Sequence, residues 1–502
     1  MDFITRLVSI YLGGRRRTIA RYASESRDMQ ERVLMRLIRR AMDTEWGKEH
    51  KFNSINGYRD FTTHVPVSSY DDLQERIERM RYGEKDVLWP GQVKFFAKSS
   101  GTTAGRSKFI PVTKEGLRRL HMMGGHDATA VYLGYNKKSR VSRGHSLILS
   151  GSFDPTLDTP TSRTGDVSAI MTSSIHPFLR KLMKFGPPME IASISDFGEK
   201  REKIAQYAMH TNVATFSGVP SWWLSVLSHM LEISGKETLE EVWPNLELFC
   251  HGGVGFTPYR DLYKKIAPSL HYIETYNASE GFFGVQTDPS DPALTLMVDY
   301  DVFYEFIPLS QLGKKDAQVI PLWEVKTGVN YAMVISTSCG LWRYLIGDTI
   351  RFTQKDPYKF TISGRTRQFI NAYGEELIVE NAEKGIDIAC KATGAKVREY
   401  TAAPVYMDEH GKARHQWLIE FAHEPDSMDN FTMQLDSALR SLNSDYDAKR
   451  FEDIVLSHLE LVPARKGLFD DWLKKHGKLG GQHKVPRLAN NREIMDELLE
   501  MN

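Results

Sequence analysis

Between Leu246 and Tyr276 the chain reads strand, glycine turn, helix, strand. Leu246 to Cys250 is strand-like, His251-Gly252-Gly253-Val254-Gly255 turns, Pro258 to Ile266 is helical, and Leu270 to Tyr276 is strand-like again. Upstream, Ser146 to Ser150 reads as a buried strand and Pro220 to Ser234 as a helix. A strand–turn–helix–strand rhythm buries both faces of a sheet only if the strands run parallel, so the sequence predicts an α/β fold with a partly parallel sheet. Ligands of such sheets gather beyond the carboxyl ends of strands. Gly253 and the run from Tyr276 through Ser279 to Glu280 occupy those positions.

Other elements follow from periodicity and caps. An apolar stripe of Val33, Leu34, Leu37, Ile38 and Ala41 predicts a helix over 29–44. Tyr70 to Arg81 reads as a helix capped by Ser69, and Lys114 to Tyr135 as mostly helical, weakened at Gly124-Gly125. Strand-like runs extend from Thr295 to Phe306 and from Tyr331 to Ser336. Past Gly364 the texture changes, with a strand at Trp417 to Phe421 and a helix at Asn430 to Leu442. This places a hinge at 363–368 between a large N-terminal domain, 1–363, and a smaller C-terminal one, 368–502. The chain, 502 residues and 41% hydrophobic, is ample for that division.

The richest polar segment is Ser99-Ser100-Gly101-Thr102-Thr103-Ala104-Gly105-Arg106-Ser107-Lys108. It is read as a loop between a strand at Val93 to Ala97 and the apolar step Phe109-Ile110-Pro111. Its glycines admit close approach of backbone N–H groups, its hydroxyls donate, and Lys108 adds a point charge, which suits phosphate oxygens. It is not a Walker A element, because Gly105 is followed by Arg106-Ser107-Lys108. An ordinary surface turn is the plainer alternative.

Three further segments carry chemistry. In Tyr276-Asn277-Ala278-Ser279-Glu280-Gly281 the ring suits a purine and Glu280 suits magnesium, which often takes only one or two carboxylates. Taken alone, the segment is equally a strand end with a capping Ser279 or a solvated Glu280. In Trp342-Arg343-Tyr344-Leu345-Ile346-Gly347-Asp348 the acid after a glycine suits ribose hydroxyls, or simply closes a solvated turn. Arg365, in the 363–368 segment, is placed to touch ribose or phosphate, with an exposed basic turn as the alternative. Near the end, Gly480-Gly481-Gln482-His483-Lys484 puts a lysine on a glycine-bounded loop that can swing into a distant site; an ordinary surface lysine reads equally well.

Several features exclude other functions. The net charge is +1, from 65 basic and 64 acidic residues, so no general grip on nucleic acid is expected. Cys250, Cys339 and Cys390 form no C-x-x-C pair, which argues against zinc and disulfides and for a reduced, cytoplasmic setting. His121 and His126 lack a third ligand, Trp222-Trp223 reads as core, and Glu375-Glu376 as a helix start rather than a dyad. Phe3 to Leu12 is apolar, but too short to span a bilayer, which takes about 20 residues, and Arg15-Arg16-Arg17 follows it, the reverse of a secretory signal. A helix packed on the body is expected, with no stable membrane insertion; a peripheral membrane contact is the alternative.

Taken in order, Ser99 to Lys108 with Phe109-Ile110-Pro111, then Tyr276 to Glu280, then Tyr344-Leu345-Ile346-Gly347-Asp348 resemble one family. It is the auxin-responsive promoter family of acyl acid–amido synthetases, a branch of the adenylate-forming superfamily. His64-Val65-Pro66-Val67, Gly218-Val219-Pro220-Ser221-Trp222 and Gln482-His483-Lys484-Val485-Pro486-Arg487 extend the likeness over nearly the whole chain. The resemblance implies a large N-terminal domain with mixed sheets of the adenylate-forming type and a smaller, mobile α+β C-terminal domain. It implies that Ser99, Ser100, Gly101, Thr102, Thr103 and Gly105 hold ATP phosphates, with Lys108 and Lys484 as catalytic lysines. Tyr276 would lie against adenine, Glu280 would bind magnesium, and Asp348 would hold ribose with Arg365 near it. The implied reaction adenylates a small carboxylic acid and transfers the acyl group to an amino acid. The alternatives are an acyl-CoA ligase, which shares the first half-reaction, and a non-catalytic nucleotide-binding protein. The chain departs from the family in being shorter than the plant members usually are, as a compact bacterial member would be. It also has Arg367 at the hinge, where Asp or Lys is common, and His483 before the candidate lysine.

Overall fold

The computed structural model describes all residues except 104–105, 257–258, 315, 366–368, 408–412, 454 and 477–484, and describes only the backbone of 100–103, 106–107, 197, 365 and 452. Gly105 and Lys484 therefore lie outside the described residues.

The N-terminal helices are α1 (Phe3–Tyr11), α2 (Tyr22–Ala41) and α3 (Tyr70–Arg81). α3 begins where its cap predicts, because the Ser69 and Asp72 side chains and backbones exchange hydrogen bonds in a capping box. A hairpin follows, β1 (Phe95–Thr103) and β2 (Arg106–Val112). The expected loop is thus mostly strand: Ser99 opposes Lys108 and Thr103 opposes Arg106, with an irregularity between. Alternating hydroxyl and small residues suit an extended pair as well as a loop, and apolar Phe96 and Ile110, buried in the core, anchor its base.

Among the described residues, twelve strands form one sheet. In chain order its main members are β3 (His145–Ile148), β4 (Val213–Gly218), β5 (Leu248–Gly252), β6 (His271–Ala278), β7 (Gly281–Val285), β8 (Leu294–Leu296), β9 (Val302–Pro308), β10 (Asn330–Thr337), β11 (Tyr344–Lys355) and β12 (Tyr358–Arg365). Between the edge pieces Ile320–Pro321 and Phe185–Gly186 their spatial order is β9-β10-β11-β12-β8-β7-β6-β5-β4-β3. The strands from β3 to β6 are parallel and those from β6 to β9 antiparallel. The predicted rhythm therefore holds for half of the sheet, and the switch falls at the β6–β7 turn, Ser279-Glu280.

The run from Thr295 to Phe306 is not one strand. β8 and β9 lie on opposite sides of β10–β12, and acids mark the break. Asp299 accepts from Arg15 (2.5 Å) and from Tyr22, and Asp301 accepts from Arg36 and Arg119. Arg15 also grips buried Asp127 at 2.7 Å, so the first arginine of the basic run turns inward.

Pro220–Ser234, α4, matches its expected span: Pro220 opens it and Gly235, at φ +66°, closes it. The helical run Lys114 to Tyr135 contains one π-turn, Leu117–His121, and its Gly124 lies so close to Phe282 that a Cβ would stand 2.1 Å from the ring. After 368 come Val379–Thr393, Met428–Leu442 and a three-stranded sheet of Lys396–Val405, Arg414–His423 and Glu460–Pro463. This part shares a core with the parallel half, in which Ile370, Tyr373 and Trp417 join Phe216, Trp223 and Phe249. The Trp222 Nε1–H donates to the Tyr373 carbonyl at 3.3 Å, whereas Trp223 is core, as expected. Glu375 does not start a helix: it accepts from the N–H groups of Ala372 and Tyr373 and lies 2.8 Å from the His415 ring.

Candidate functional site

Two neighbouring strands of the parallel half, β4 and β5, end side by side at glycines whose backbone only glycine serves well. Gly218 has φ +145° and Gly253 φ +86°. At Gly252 a Cβ would stand 2.2 Å from the Thr275 carbonyl oxygen, and at Gly253 it would stand 3.3 Å from Val219. This corner keeps the chain thin at the point where β5 meets β6. His251 beneath it is buried and stacked on Phe256 at 4.0 Å, and burial drops its pKa to about 3.

β6 then delivers Tyr276, and the turn to β7 delivers Ser279 and Glu280. Tyr276 and Glu280 are buried. From the other side of the sheet β11 delivers Asp348, also buried, and the Tyr276 hydroxyl donates to its Oδ2. β6 and β11 are four strand spacings apart. In a flat sheet that is about 19 Å, so the antiparallel half must curl until its two ends face each other. The Tyr276 ring sits 5.1 Å from Phe283 and 6.1 Å from Phe360, filling the inside of the curl. Arg365 pairs with Asp348 across β11 and β12, which places its backbone beside the acid.

Tyr344 joins these groups to the hairpin. Its hydroxyl is buried, lies in the field of Glu280, Asp348 and Tyr70, and has no hydrogen-bond partner among the described residues. Burial first, then these carboxylates, push its pKa well up. A buried hydroxyl left unpaired costs about 1–3 kcal/mol, so a water or a ligand completes its hydrogen bonds. Tyr70, which acts on it electrostatically, has its hydroxyl accepting from the Phe109 N–H at 2.9 Å and the Lys108 ammonium 5.6 Å from its ring centre. Lys108, Tyr70, Tyr344, Glu280, Asp348 and Tyr276 thus form one continuous neighbourhood. Ser99, opposite Lys108, belongs to it through the hairpin, and the backbone of Ser100, Gly101, Thr102 and Thr103 continues the same strand.

Arg343 holds this arrangement, and nothing in its local sequence announces it. It is buried at φ +43°, a strained conformation for a side-chain-bearing residue. Its guanidinium donates to both oxygens of buried Glu305 (2.9–3.2 Å) and to the Val65 carbonyl (2.7 Å). Ser68 pins the neighbours: its N–H donates to the Arg343 carbonyl and its hydroxyl to that of Trp342. The His64-Val65-Pro66-Val67 segment therefore acts as a clasp on the Tyr344 strand. On the far side His121, at the π-turn, lies against Asn277; it is fully buried, and burial lowers its pKa to about 4 against the pull of Asn277. No group of three His, Cys, Asp or Glu among the described residues is arranged to hold a metal.

This fold, with a curled mixed sheet and its polar cluster at the strand switch, is that of the adenylate-forming enzymes. The GH3.15 acyl acid amido synthetase superposes with a TM-score of 0.58 at 20% identity, over 96% of this chain and 94% of that one. A 2-hydroxyisobutyryl-CoA ligase, solved with 2-HIB-AMP and CoA, superposes at 0.55 and 13% identity over 96% and 93%. The chain belongs to the GH3 family. Its residues 15–197 and 191–272 match the family's N-terminal domain, 295–365 its central domain and 380–493 its C-terminal domain. Among curated proteins it is similar to the indole-3-acetic acid-amido synthetase GH3.4 of Arabidopsis thaliana, 23% identical over 93% of this chain and 90% of that protein. It is also similar to GH3.8 of Oryza sativa subsp. indica, 24% identical over 94% and 89%.

Proposed function

We propose that the chain is an ATP-dependent acyl acid–amido synthetase that adenylates a small carboxylic acid and transfers the acyl group to the amine of an amino acid. What supports this reading is that Tyr276 bonds to Asp348 beyond the parallel strands, that Glu280 and Asp348 act on the buried Tyr344 hydroxyl, and that Lys108 lies over the ring of Tyr70. Membership of a family whose named relatives are amido synthetases supports it.

A carboxylate is a poor acyl donor, and transfer of AMP to it creates a good leaving group. Negative charge gathers on the α-phosphate during that transfer, so fixed donors are the largest catalytic contribution. The hairpin Ser99–Lys108, with Gly105, holds the phosphates, and Lys108 offsets their charge. Tyr276 and Gly253 bound the base and Ser279 the turn beside it, while Asp348, with Arg365 near it, accepts from ribose hydroxyls. Glu280 fits a magnesium ion, because that ion takes one or two carboxylates and fills its shell with water and substrate phosphates rather than a protein cage. When bound, the ion would neutralise phosphate charge. Residues 1–363 form the adenylation domain and 368–502 a second domain that brings Lys484 to the site by pivoting within 363–368, which lets one pocket serve both half-reactions. The protein works in the cytoplasm. Among the described residues no helix is long and apolar enough to cross a membrane.

The test is pyrophosphate release across a panel of carboxylic acids with ATP, followed by mass spectrometry with mixed amino acids. Acid-dependent pyrophosphate with AMP and an acyl–amino acid amide is expected. ADP as the only spent nucleotide rejects the reading. Product with coenzyme A and none with any amine favours the acyl-CoA ligase.

A further inference from the structure

Helix α1 is turned inside out. Its polar residues Thr5 and Ser9 are buried against the body, while Phe3, Ile4, Leu7, Ile10 and Tyr11 face outward with 51% (Leu7) to 82% (Tyr11) of their surface exposed. The inward face is bonded in place. Asp2 caps the helix through the Thr5 N–H, the Ser142 N–H donates to the Thr5 hydroxyl, and the Met1 ammonium donates to the Lys137 carbonyl. A second apolar patch lies beyond the same 141–143 turn. Helix Pro177–Leu182 exposes Phe178, Leu179, Leu182 and the following Met183, and the next residue, Lys184, donates to the Ser142 and Arg143 carbonyls.

Basic residues predominate in the segments around these patches, although Arg15 is paired with Asp127 and Asp299 and the Arg140 N–H donates to Glu247. Segments 1–21, 134–146 and 174–186 contain twelve Lys and Arg residues and a single acid, Asp2, which is spent as the cap. Exposed Arg6, Arg17, Lys138, Arg143, Lys181 and Lys184 rim the two helices. Whole-chain neutrality hides this concentration. Apolar faces rimmed by one sign of charge rarely stay in water. Pairing with a second copy would set like charges against each other, which costs several kcal/mol.

We propose that α1 and the Pro177–Leu182 helix form a peripheral docking surface for anionic lipid bilayers, with the apolar side chains lying in the interface and the arginines and lysines over the headgroups. The geometry suits an interfacial helix: α1 is nine residues long, lies on the body and carries aromatic and aliphatic residues on one side. It spans nothing, so it adds to the reading of a non-inserted protein rather than opposing it. It is independent of the amide-forming activity.

The test is flotation of the full chain with vesicles of phosphatidylcholine alone and of phosphatidylcholine mixed with phosphatidylglycerol. Binding to the anionic vesicles only is expected, falling as salt rises from about 0.1 M to about 1 M and the Debye length shrinks from about 10 to about 3 Å. Leu7→Glu with Ile10→Glu should abolish it, with an unchanged circular dichroism spectrum. Lys181→Glu with Lys184→Glu should weaken it about tenfold or more. Phe178→Glu, on the separate helix, gives a second apolar variant should the first unseat α1. The proposal is overturned by absence of binding, by equal binding to both vesicle types, or by unchanged binding of the Leu7→Glu/Ile10→Glu and Phe178→Glu variants. It is equally overturned by a dimer in light scattering that those substitutions dissolve.

Discussion

The Tyr276 hydroxyl donates to the Asp348 carboxylate, although the two residues stand on strands four positions apart in the same sheet. The bond closes the curl and orients the carboxylate. A hydrogen bond to a charged group is worth about 1.5–3 kcal/mol, so Asp348→Ala should weaken ATP binding about 10- to 100-fold. Tyr276→Phe removes only the orienting bond and should cost about fivefold. Calorimetry with ATP checks both, and unchanged affinity in Asp348→Ala would remove the ribose role.

Glu280 sits in the β6–β7 turn near Tyr344. Replacing it with Gln keeps the shape and removes the charge that a hard cation needs. The magnesium concentration for half-maximal pyrophosphate release should rise about tenfold or more. A superimposable magnesium titration would show that the metal is held elsewhere.

Lys484→Ala should slow acyl-adenylate formation in single turnover while sparing ATP affinity, because a residue that arrives only for the chemistry contributes to the transition state and not to ground-state binding. Adenylate appearing at the wild-type rate would reassign that lysine.

Arg343→Met should destabilise the protein by about 3–5 kcal/mol, read by denaturant unfolding, because it strands a buried carboxylate. Burial already raises the pKa of Glu305, against the pull of Arg343 and Tyr58. Adding Glu305→Gln should restore part of the loss. If the single variant were as stable as wild type, the clasp would not depend on this pair.

Glu274, two residues before Tyr276 on β6, gives a pH signature. Burial lifts its pKa from 4.5 to about 7, with Arg260 pulling the other way. A carboxyl raised in the folded state contributes fully below about 4.5, and its contribution is lost as pH climbs to about 7, because the unfolded chain ionises first. Glu274→Gln should therefore gain stability over wild type across that window, by up to about 3 kcal/mol at pH 8. Parallel unfolding curves of the two proteins from pH 4.5 to 8 would refute the burial argument.

Local chemistry made some elements legible. Tyr70–Arg81 and Pro220–Ser234 carry their own start and stop signals, Ser69 with Asp72 and Pro220 with Gly235, and these act within a turn. The letters of the site were legible too, since Tyr276, Glu280 and Asp348 are residue types suited to base, metal and ribose, but Asp348, expected in a turn after Gly347, lies inside β11. The hairpin at Ser99–Lys108 was misread as a loop because hydroxyls and glycines serve both, and only cross-strand pairing separates them. Arg343 and Tyr344 gave no local signal of their roles. Their importance arises from Glu305, Val65 and Tyr70, which lie 38 or more residues away in sequence.

By itself the sequence determined the α/β alternation, the capped helices and the set of side chains available for nucleotide chemistry, because propensity, capping and residue type act over a few residues. The curl that brings β6 to β11, the break at Asp299 and Asp301, and the outward turn of the apolar face of α1 were decided only in three dimensions. Each depends on partners far along the chain, and burial assigns such partners through packing that no short window of residues contains.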